Sequence, residues 1–320
     1  MGEKGLGCAA TKDIKEGELV LRERPLLLRP TVDDGEAWTM KSFGQLMKCF
    51  LEMPDEDKEA YMQLHNKYAE DHTKWSQGMI ESLPAVIEGT SKIALFESEK
   101  YPAQEAWEVW GIFETNAFHN GVFLKMSRFN HACLPNAEYF WNEDRGTRDI
   151  RAISEIKENE EITVSYISTL VTPKEKRQRY LKDQYNFSGK CKACDFDEAQ
   201  IQSETENIRA YDSTVQEQDK WMTEGQLAKE LDCLKELNRL AKKLKIIGCG
   251  AVLCDIVDRA YEVSCDGARG KDKAPSKTSE EWITEAKRFA DIGLKMSTTI
   301  YGDVYSETLL WKKRLMSQKC

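Results

Sequence analysis

The chain has 320 residues, of which 41% are hydrophobic and 32% are charged, and its formal net charge is −9. Its mean hydropathy is −0.60 and it has no apolar run of about 20 residues, which excludes a membrane-spanning helix. The acidic balance argues against bulk nucleic-acid binding and is compatible with a basic protein segment as partner.

The first residues contain no apolar core of a signal peptide, so we expect a protein of the cytoplasm and/or nucleus. In those compartments the ten cysteines are expected to be reduced thiols or metal ligands. We also expect a monomer that binds neither a membrane nor nucleic acid directly.

Strand-like and helical patterns alternate along the first part of the chain. Residues 1–28 combine a glycine-containing turn with a short apolar run, and residues 36–100 change to helical spacing. Residues 106–170 return to strand-like chemistry, seen best in AEYFWN at 137–142 and EITVSYI at 161–167. The apolar residues at helical spacing in the second stretch are Phe43, Leu46, Met47 and Phe50.

Helical patterns dominate the remainder. Pro173 at its first position favours a helix over 173–185, which is followed by the glycine- and cysteine-containing knuckle FSGKCKACDFD. An apolar stripe from Leu227 to Leu244 predicts a long helix. Farther on, Thr278 and Glu281 have the spacing of a capping box at the start of another helix.

Two short segments carry the strongest functional signal: RFNHACLPN at 128–136 and NEEITVSYI at 159–167. Together they resemble the paired signature of SET-domain protein-lysine methyltransferases, in which the two segments thread through each other to form one site. Within that family the chain is most similar to the SET-and-MYND branch and its fungal-type relatives that lack the MYND finger. The stretch 29–105 has one cysteine and two histidines, which are too few ligands for a two-zinc finger.

The resemblance implies an α+β fold of small curved sheets with knot-like threading, a helical insert and an all-helical C-terminal domain. It divides the chain into a first SET segment, a helical insert, a second SET segment with the cofactor and lysine site, a post-SET segment and a helical C-terminal domain that could be tetratricopeptide-like. The corresponding ranges are 1–28, 29–105, 106–170, 171–197 and 198–320.

The resemblance also assigns roles to individual residues. It makes Tyr166 the catalytic tyrosine beside the cofactor, and it places Asn116 and Phe118 at the substrate side of the site. Phe187 is the candidate for stacking on the adenine ring. The residues that it assigns to S-adenosyl-L-methionine are Gly5, Leu6, Gly7, Asn130, His131, Tyr166 and Phe187.

The same resemblance implies a structural zinc ion held by Cys133, Cys191 and Cys194. Zinc in such sites takes four tetrahedral ligands, and the family's remaining cysteine is replaced here by Gly189. Another residue could complete the site, or the site could be weak or empty. The sequence alone leaves these alternatives open.

Two further departures from the family pattern are Ala132, where serine is usual, and Asn159, where glycine is usual. The leading hypothesis is methyl transfer from S-adenosylmethionine to a lysine of a histone or non-histone protein, with the target lysine in a basic segment. The alternative is a catalytically weak SET-domain scaffold that acts through protein–protein interaction. Affinity for the cofactor distinguishes the two hypotheses.

Overall fold

The computed structural model describes residues 6–28, 40–69, 103–118, 121–167, 172–244 and 249–317. The helices are α1 (Met40–Leu51), α2 (Asp55–Met62), α3 (Ala103–Asn116), α4 (Lys174–Tyr185), α5 (Glu198–Glu224), α6 (Leu227–Leu244), α7 (Cys249–Ala268), α8 (Ser279–Tyr301) and α9 (Ser306–Met316). The strands are β1 (Cys8–Ala9), β2 (Leu19–Glu23), β3 (Leu27–Leu28), β4 (Ala117–Phe118), β5 (Gly121–Val122), β6 (Asn130–His131), β7 (Ala137–Asn142), β8 (Thr147–Ala152) and β9 (Glu161–Val164). A short 3₁₀ turn covers Met126–Arg128. None of the helices in these ranges is long and apolar enough to cross a bilayer.

The strands form three sheets of three strands each, in the orders β1–β9–β6, β2–β8–β7 and β3–β5–β4. In the first sheet β9 lies between an antiparallel partner and a parallel one, with Cys8 opposite Ile162 and Asn130 opposite Thr163. Strands far apart in the chain are therefore neighbours, and both signature segments share one sheet. The α+β class with small sheets and a helical C-terminal region is confirmed.

The chain divides into two compact units. One contains residues 22–128 and 143–148, and the other contains 1–21, 129–142 and 149–320. Each unit is assembled from separate stretches of the chain, so the division does not test the predicted segment boundaries. The boundaries at 28, 105, 170 and 197 remain predictions.

The unit of residues 22–128 and 143–148 has a core built from helices α1, α2 and α3 against short strands. The predicted helical spacing in α1 is confirmed by four buried side chains, Phe43, Leu46, Met47 and Phe50. Helix α2 has an acidic first turn, which suits the positive end of a helix dipole. Tyr61 is fully buried, and its hydroxyl donates a hydrogen bond of 2.7 Å to the Val109 carbonyl of α3.

Helix α3 corrects the expectation of strand-like structure from residue 106. The helix runs to Asn116, and strand structure begins only at Ala117. Buried side chains at Ala106, Val109 and Phe113 follow a helical period. The period was hidden because two tryptophans and the β-branched residues Val109 and Ile112, which strands also favour, lie among these positions.

The other unit contains the helical C-terminal region, where successive helices from α5 to α9 pack on one another. The buried stripe of α6, from Leu227 onwards, is confirmed, as is the capping box that Thr278 and Glu281 form at the start of α8. Helix α8 also contacts strand β7: Phe140 packs edge-to-face on Tyr301, with 5.1 Å between the ring centroids. This contact connects the helical region to strand β7 within a single unit.

Candidate functional site

The pairing of β6 with β9 places the two signature segments side by side, and Asn136 fastens them. Its amide nitrogen donates to the Glu161 carbonyl at 2.9 Å, and its amide oxygen accepts from the Thr163 backbone N–H at 2.9 Å. The Ala132 backbone N–H also donates to the Val164 carbonyl at 3.0 Å. Because position 132 contributes backbone to this contact, the change from serine to alanine leaves it intact.

The turn before β9 has a left-handed backbone at Asn159, the position where the family usually has glycine. This residue has φ of 65°, and its N–H donates to the Ala10 carbonyl at 2.8 Å. Asparagine is among the few non-glycine residues that adopt this conformation at low cost. Replacement of the usual glycine therefore preserves the contact between the first segment and the signature turn.

Gly7 lies directly against two side chains of the signature segments. A β-carbon at Gly7 would be 2.7 Å from Asn130 Nδ2 and 2.8 Å from Glu161 Oε1, closer than real side chains approach. Asn130 in turn donates to Glu161 Oε1 at 2.8 Å. The structure thus brings two of the predicted cofactor residues together, and a side chain at position 7 would displace the Asn130 amide or the Glu161 carboxylate. Leu6 is 67% exposed beside them, and Gly5 lies outside the described residues.

His131 is held in one tautomer. The Tyr166 backbone N–H donates to His131 Nδ1 at 2.9 Å, so Nδ1 is the acceptor and the ring proton is on Nε2. Nε2 lies 3.3 Å from Cys133 Sγ, to which it donates. Burial lowers the pKa of His131 to about 4, which keeps the ring neutral.

Tyr166 is the centre of an aromatic cluster. Its hydroxyl donates to the Phe129 carbonyl at 2.6 Å, and burial raises its pKa, so the phenol remains protonated. Ring centroids of Tyr185, His131 and Phe187 lie at 5.0, 5.4 and 6.4 Å from that of Tyr166. The predicted catalytic tyrosine, the predicted Asn–His pair and the predicted stacking residue therefore share one neighbourhood.

Three buried cysteines form a possible metal centre next to His131. Cys133 Sγ is 3.7 Å from Cys194 Sγ, which is 3.4 Å from Cys191 Sγ, and all three sulfurs lie within 4.8 Å of one another. Hydrogen bonds from Cys133 and Cys194 lower the pKa of Cys191, which favours a thiolate in the cluster. The arrangement can hold a metal ion with all three predicted ligands.

Asn116 and Phe118, which the sequence assigns to the substrate side, lie in the unit of residues 22–128. Asn116 is the last residue of α3, and its amide donates to the carbonyls of His65 and Ile112, each at 2.7 Å. Phe118 packs edge-to-face on Phe123, with 5.7 Å between the ring centroids. Both residues have structural contacts in their own unit, and their substrate role remains a prediction.

Two residues of the site, Tyr185 and Arg177, escaped the sequence reasoning, and Asn136 was recognised as part of the RFNHACLPN motif without a role of its own. Arg177 is part of the basic run KEKRQR, which favours a solvated helix face, yet it is buried. Its guanidinium donates to Glu204 at 2.9 Å and to the Thr172 carbonyl at 2.6 Å, and it also hydrogen-bonds Cys133. The only sequence feature that could have indicated its burial is its position in the predicted helix, three residues after Lys174.

Comparison with known proteins gives a consistent picture. The family model described as "SET domain" matches residues 5–167, just over half of the chain. Histone-lysine N-methyltransferase set5 of Schizosaccharomyces pombe is 31% identical over 114 residues, which are 33% of this chain and 35% of that protein. Histone-lysine N-methyltransferase SMYD3 of Mus musculus is 38% identical over 74 residues, 23% of this chain and 17% of that protein.

Protein-lysine N-trimethyltransferase SMYD5 of Mus musculus is 32% identical over 95 residues, 28% of this chain and 23% of that protein. The chain thus spans between about one sixth and about one third of the length of these relatives.

Proposed function

The chain belongs to the SET-domain family, and from this premise we propose that it is a protein-lysine N-methyltransferase that uses S-adenosylmethionine. The observation that carries the proposal is the convergence of Gly7, Asn130, His131 and Tyr166, each positioned by hydrogen bonds or close contacts between the signature segments. A protein that acts only through protein–protein interaction would not require these four residues to converge at one site.

The residues fit the cofactor on two counts. Gly7 leaves backbone exposed at a place that a β-carbon would fill, beside the Asn130 amide, which can both donate and accept hydrogen bonds. The aromatic rings of Phe187 and Tyr185 offer faces for the adenine. When bound, S-adenosylmethionine supplies the methyl group. The protein would bind the cofactor, orient the amine of the target lysine and exclude water.

Tyr166 is suited to positioning and not to proton removal. Its proton is engaged with the Phe129 carbonyl, and its raised pKa makes it a poor source of phenolate. Its oxygen retains a lone pair for weak C–H···O contacts with a methyl group. A buried aromatic surrounding disfavours a charged lysine, which promotes the neutral amine that attacks. Catalysis would then come mainly from orientation.

We propose zinc as the ion of the cysteine cluster. Tetrahedral zinc with sulfur ligands at 2.3 Å would separate neighbouring sulfurs by about 3.8 Å, close to the 3.7 Å between Cys133 and Cys194. Donors to Cys133 come from His131 and Arg177, as expected around thiolate ligands. Zinc bound there would join the second SET segment, through Cys133, to the post-SET segment, through Cys191 and Cys194.

The substrate we propose is a lysine in a basic segment of a histone or another protein. The net charge of −9 favours encounter with a basic target. The scaffold alternative drew support from three departures at Ala132, Asn159 and Gly189. Two of them leave the backbone contacts of the site in place, so only Gly189 still supports it.

The test is transfer of tritium from methyl-labelled S-adenosylmethionine to core histones and to lysine-rich peptides. We expect labelling by the wild type and a loss of about 100-fold or more in Tyr166→Phe, because the amine loses its positioning contact. Tyr180→Phe is the matched control, since Tyr180 is 44% exposed. It should retain wild-type labelling. A folded wild type that neither binds the cofactor nor labels any protein would support the scaffold instead.

A further inference from the structure

Asn130 and Glu161 form a hydrogen-bonded pair between the two signature segments. The Asn130 amide nitrogen Nδ2 donates to Glu161 Oε1 at 2.8 Å, which joins the side chains of the neighbouring strands β6 and β9. An ionised carboxylate can only accept hydrogen bonds, so the amide group that faces it is the nitrogen and not the oxygen. The Glu161 carboxylate therefore fixes which way round the Asn130 amide lies.

Two contacts fix the backbone of Glu161. The residue pairs with Ala9 of β1 in antiparallel register, and its carbonyl accepts from the Asn136 amide at 2.9 Å. Asn130 lies on β6, which pairs with β9 in parallel register. Because both side chains start from paired strands, the sheet sets the geometry of the bond between them, and sites built on strands are more precise than sites built on loops.

Gly7 packs directly on this hydrogen bond. A β-carbon at position 7 would lie 2.7 Å from Asn130 Nδ2 and 2.8 Å from Glu161 Oε1. The backbone of the first segment therefore covers the bonded atoms from one side, and both side chains are half-buried. A hydrogen bond to a charged group is stronger than a neutral one, and partial exclusion of water strengthens it further.

The Asn130 amide transmits the charge of Glu161. An amide that donates to a carboxylate becomes a stronger acceptor at its oxygen, because hydrogen bonds in a chain polarise one another. Asn130 Oδ1 therefore favours a cationic donor such as an ammonium group. The charge also reaches the centre of the site: burial, the phenols of Tyr185 and Tyr139 and the Glu161 carboxylate together raise the pKa of Tyr166.

We propose that Glu161 is a positioning residue for the cofactor, which holds the Asn130 amide with its oxygen presented to the cofactor's ammonium group. S-Adenosylmethionine carries an ammonium and a carboxylate on the same carbon atom. An Asn130 amide of the opposite orientation would present its N–H groups, which suit the carboxylate instead. This inference rests on the proposed function and deepens it by assigning a role to Glu161 and a polarity to Asn130.

The test is isothermal titration of the full chain with S-adenosylhomocysteine and with the analogue in which hydrogen replaces its amino group. We expect the wild type to bind the amino ligand at least about tenfold more tightly. In Glu161→Gln this preference should fall by about fivefold or more, while affinity for the deaminated analogue stays within about twofold of the wild type. An equal loss of affinity for both ligands would show a merely structural role and would overturn the proposal.

Glu160→Gln is the matched control, because it removes the same charge from the preceding residue, which is exposed. It should keep the wild-type preference. Asn130→Ala is measured alone and together with Glu161→Gln. The double variant should lose less preference than the product of the two single losses, because the carboxylate acts through the amide. Independent losses that multiply would contradict the positioning role.

The comparison of the two ligands also stands without any variant. A wild type that binds both ligands equally would overturn the role of Glu161, whereas its methyl transfer would still support the proposed function. A folded wild type that binds neither ligand would contradict the cofactor site itself, and the role of Glu161 would fall with it.

Discussion

Single residues at this site are held by backbone groups of the opposite signature segment. Tyr166 donates through its hydroxyl to the Phe129 carbonyl and through its backbone N–H to His131, while Asn136 binds the β9 backbone at Glu161 and Thr163. Each of these contacts crosses between segments that are separated in the chain. Loss of one side chain therefore affects the register of both segments, and buried donors left without partners cost about 1–3 kcal/mol each.

Asn159 offers a test of the left-handed turn. We expect Asn159→Val to lower the free energy of unfolding by about 1–2 kcal/mol, because a β-branched residue is strained at φ of 65°. Asn159→Gly should be close to neutral, since glycine adopts this conformation readily. Urea denaturation of the three proteins measures the difference. Equal destabilisation by valine and glycine would show that the asparagine side chain, and not the backbone angle, matters.

The sequence predicted the motif residues of the site, but it did not predict the residues that contact them. Motif resemblance identified Asn130, His131 and Tyr166, which the structure brings together. It could not identify Tyr185 or Arg177, because their role arises from tertiary contacts with residues far away in the chain. Arg177 in particular has a local sequence of charged residues, and its burial is explained by its tertiary contacts with Glu204 of helix α5 and with Cys133.

At the scale of elements, the helices were predictable where one face is apolar and one polar, as in α6. Helix α3 was not predictable, because its 14 residues include several that also favour strands.

A second feature that the sequence does not reveal is a polar contact inside the helical region. Glu230 of α6 is fully buried and accepts from Arg259 of α7 at 2.8 Å and from Gln218 of α5 at 3.1 Å.

This contact predicts unequal effects for two arginines. Arg259→Met should lower the free energy of unfolding of the helical region by about 3 kcal/mol, because it leaves the Glu230 carboxylate buried without its charge partner. Arg239→Met removes an exposed pair with Glu236, whose side chains are 57% and 41% exposed, and should cost less than about 1 kcal/mol. Thermal denaturation followed by circular dichroism compares them. Equal losses would contradict the assigned importance of the buried pair.

At the scale of the whole molecule, one compact unit contains both signature segments, the cysteine cluster and the helical C-terminal region. Composition and periodicity predicted helices in that region, but not that α8 packs on strand β7 through Phe140 and Tyr301. Such contacts depend on tertiary arrangement, which periodic patterns do not encode. The helical region therefore packs on β7, the strand that directly follows the first signature segment.

The central claim is that the signature segments form a binding site for S-adenosylmethionine. Isothermal titration of the purified chain with this cofactor tests it most directly, with Asn130→Ala as the site variant. Asn207→Ala is the control, because its amide donates to the Ser203 carbonyl within α5. We expect saturable binding by the wild type and the control, and a loss of at least about tenfold in affinity for Asn130→Ala. A folded wild type that binds no cofactor at millimolar concentration would contradict the account.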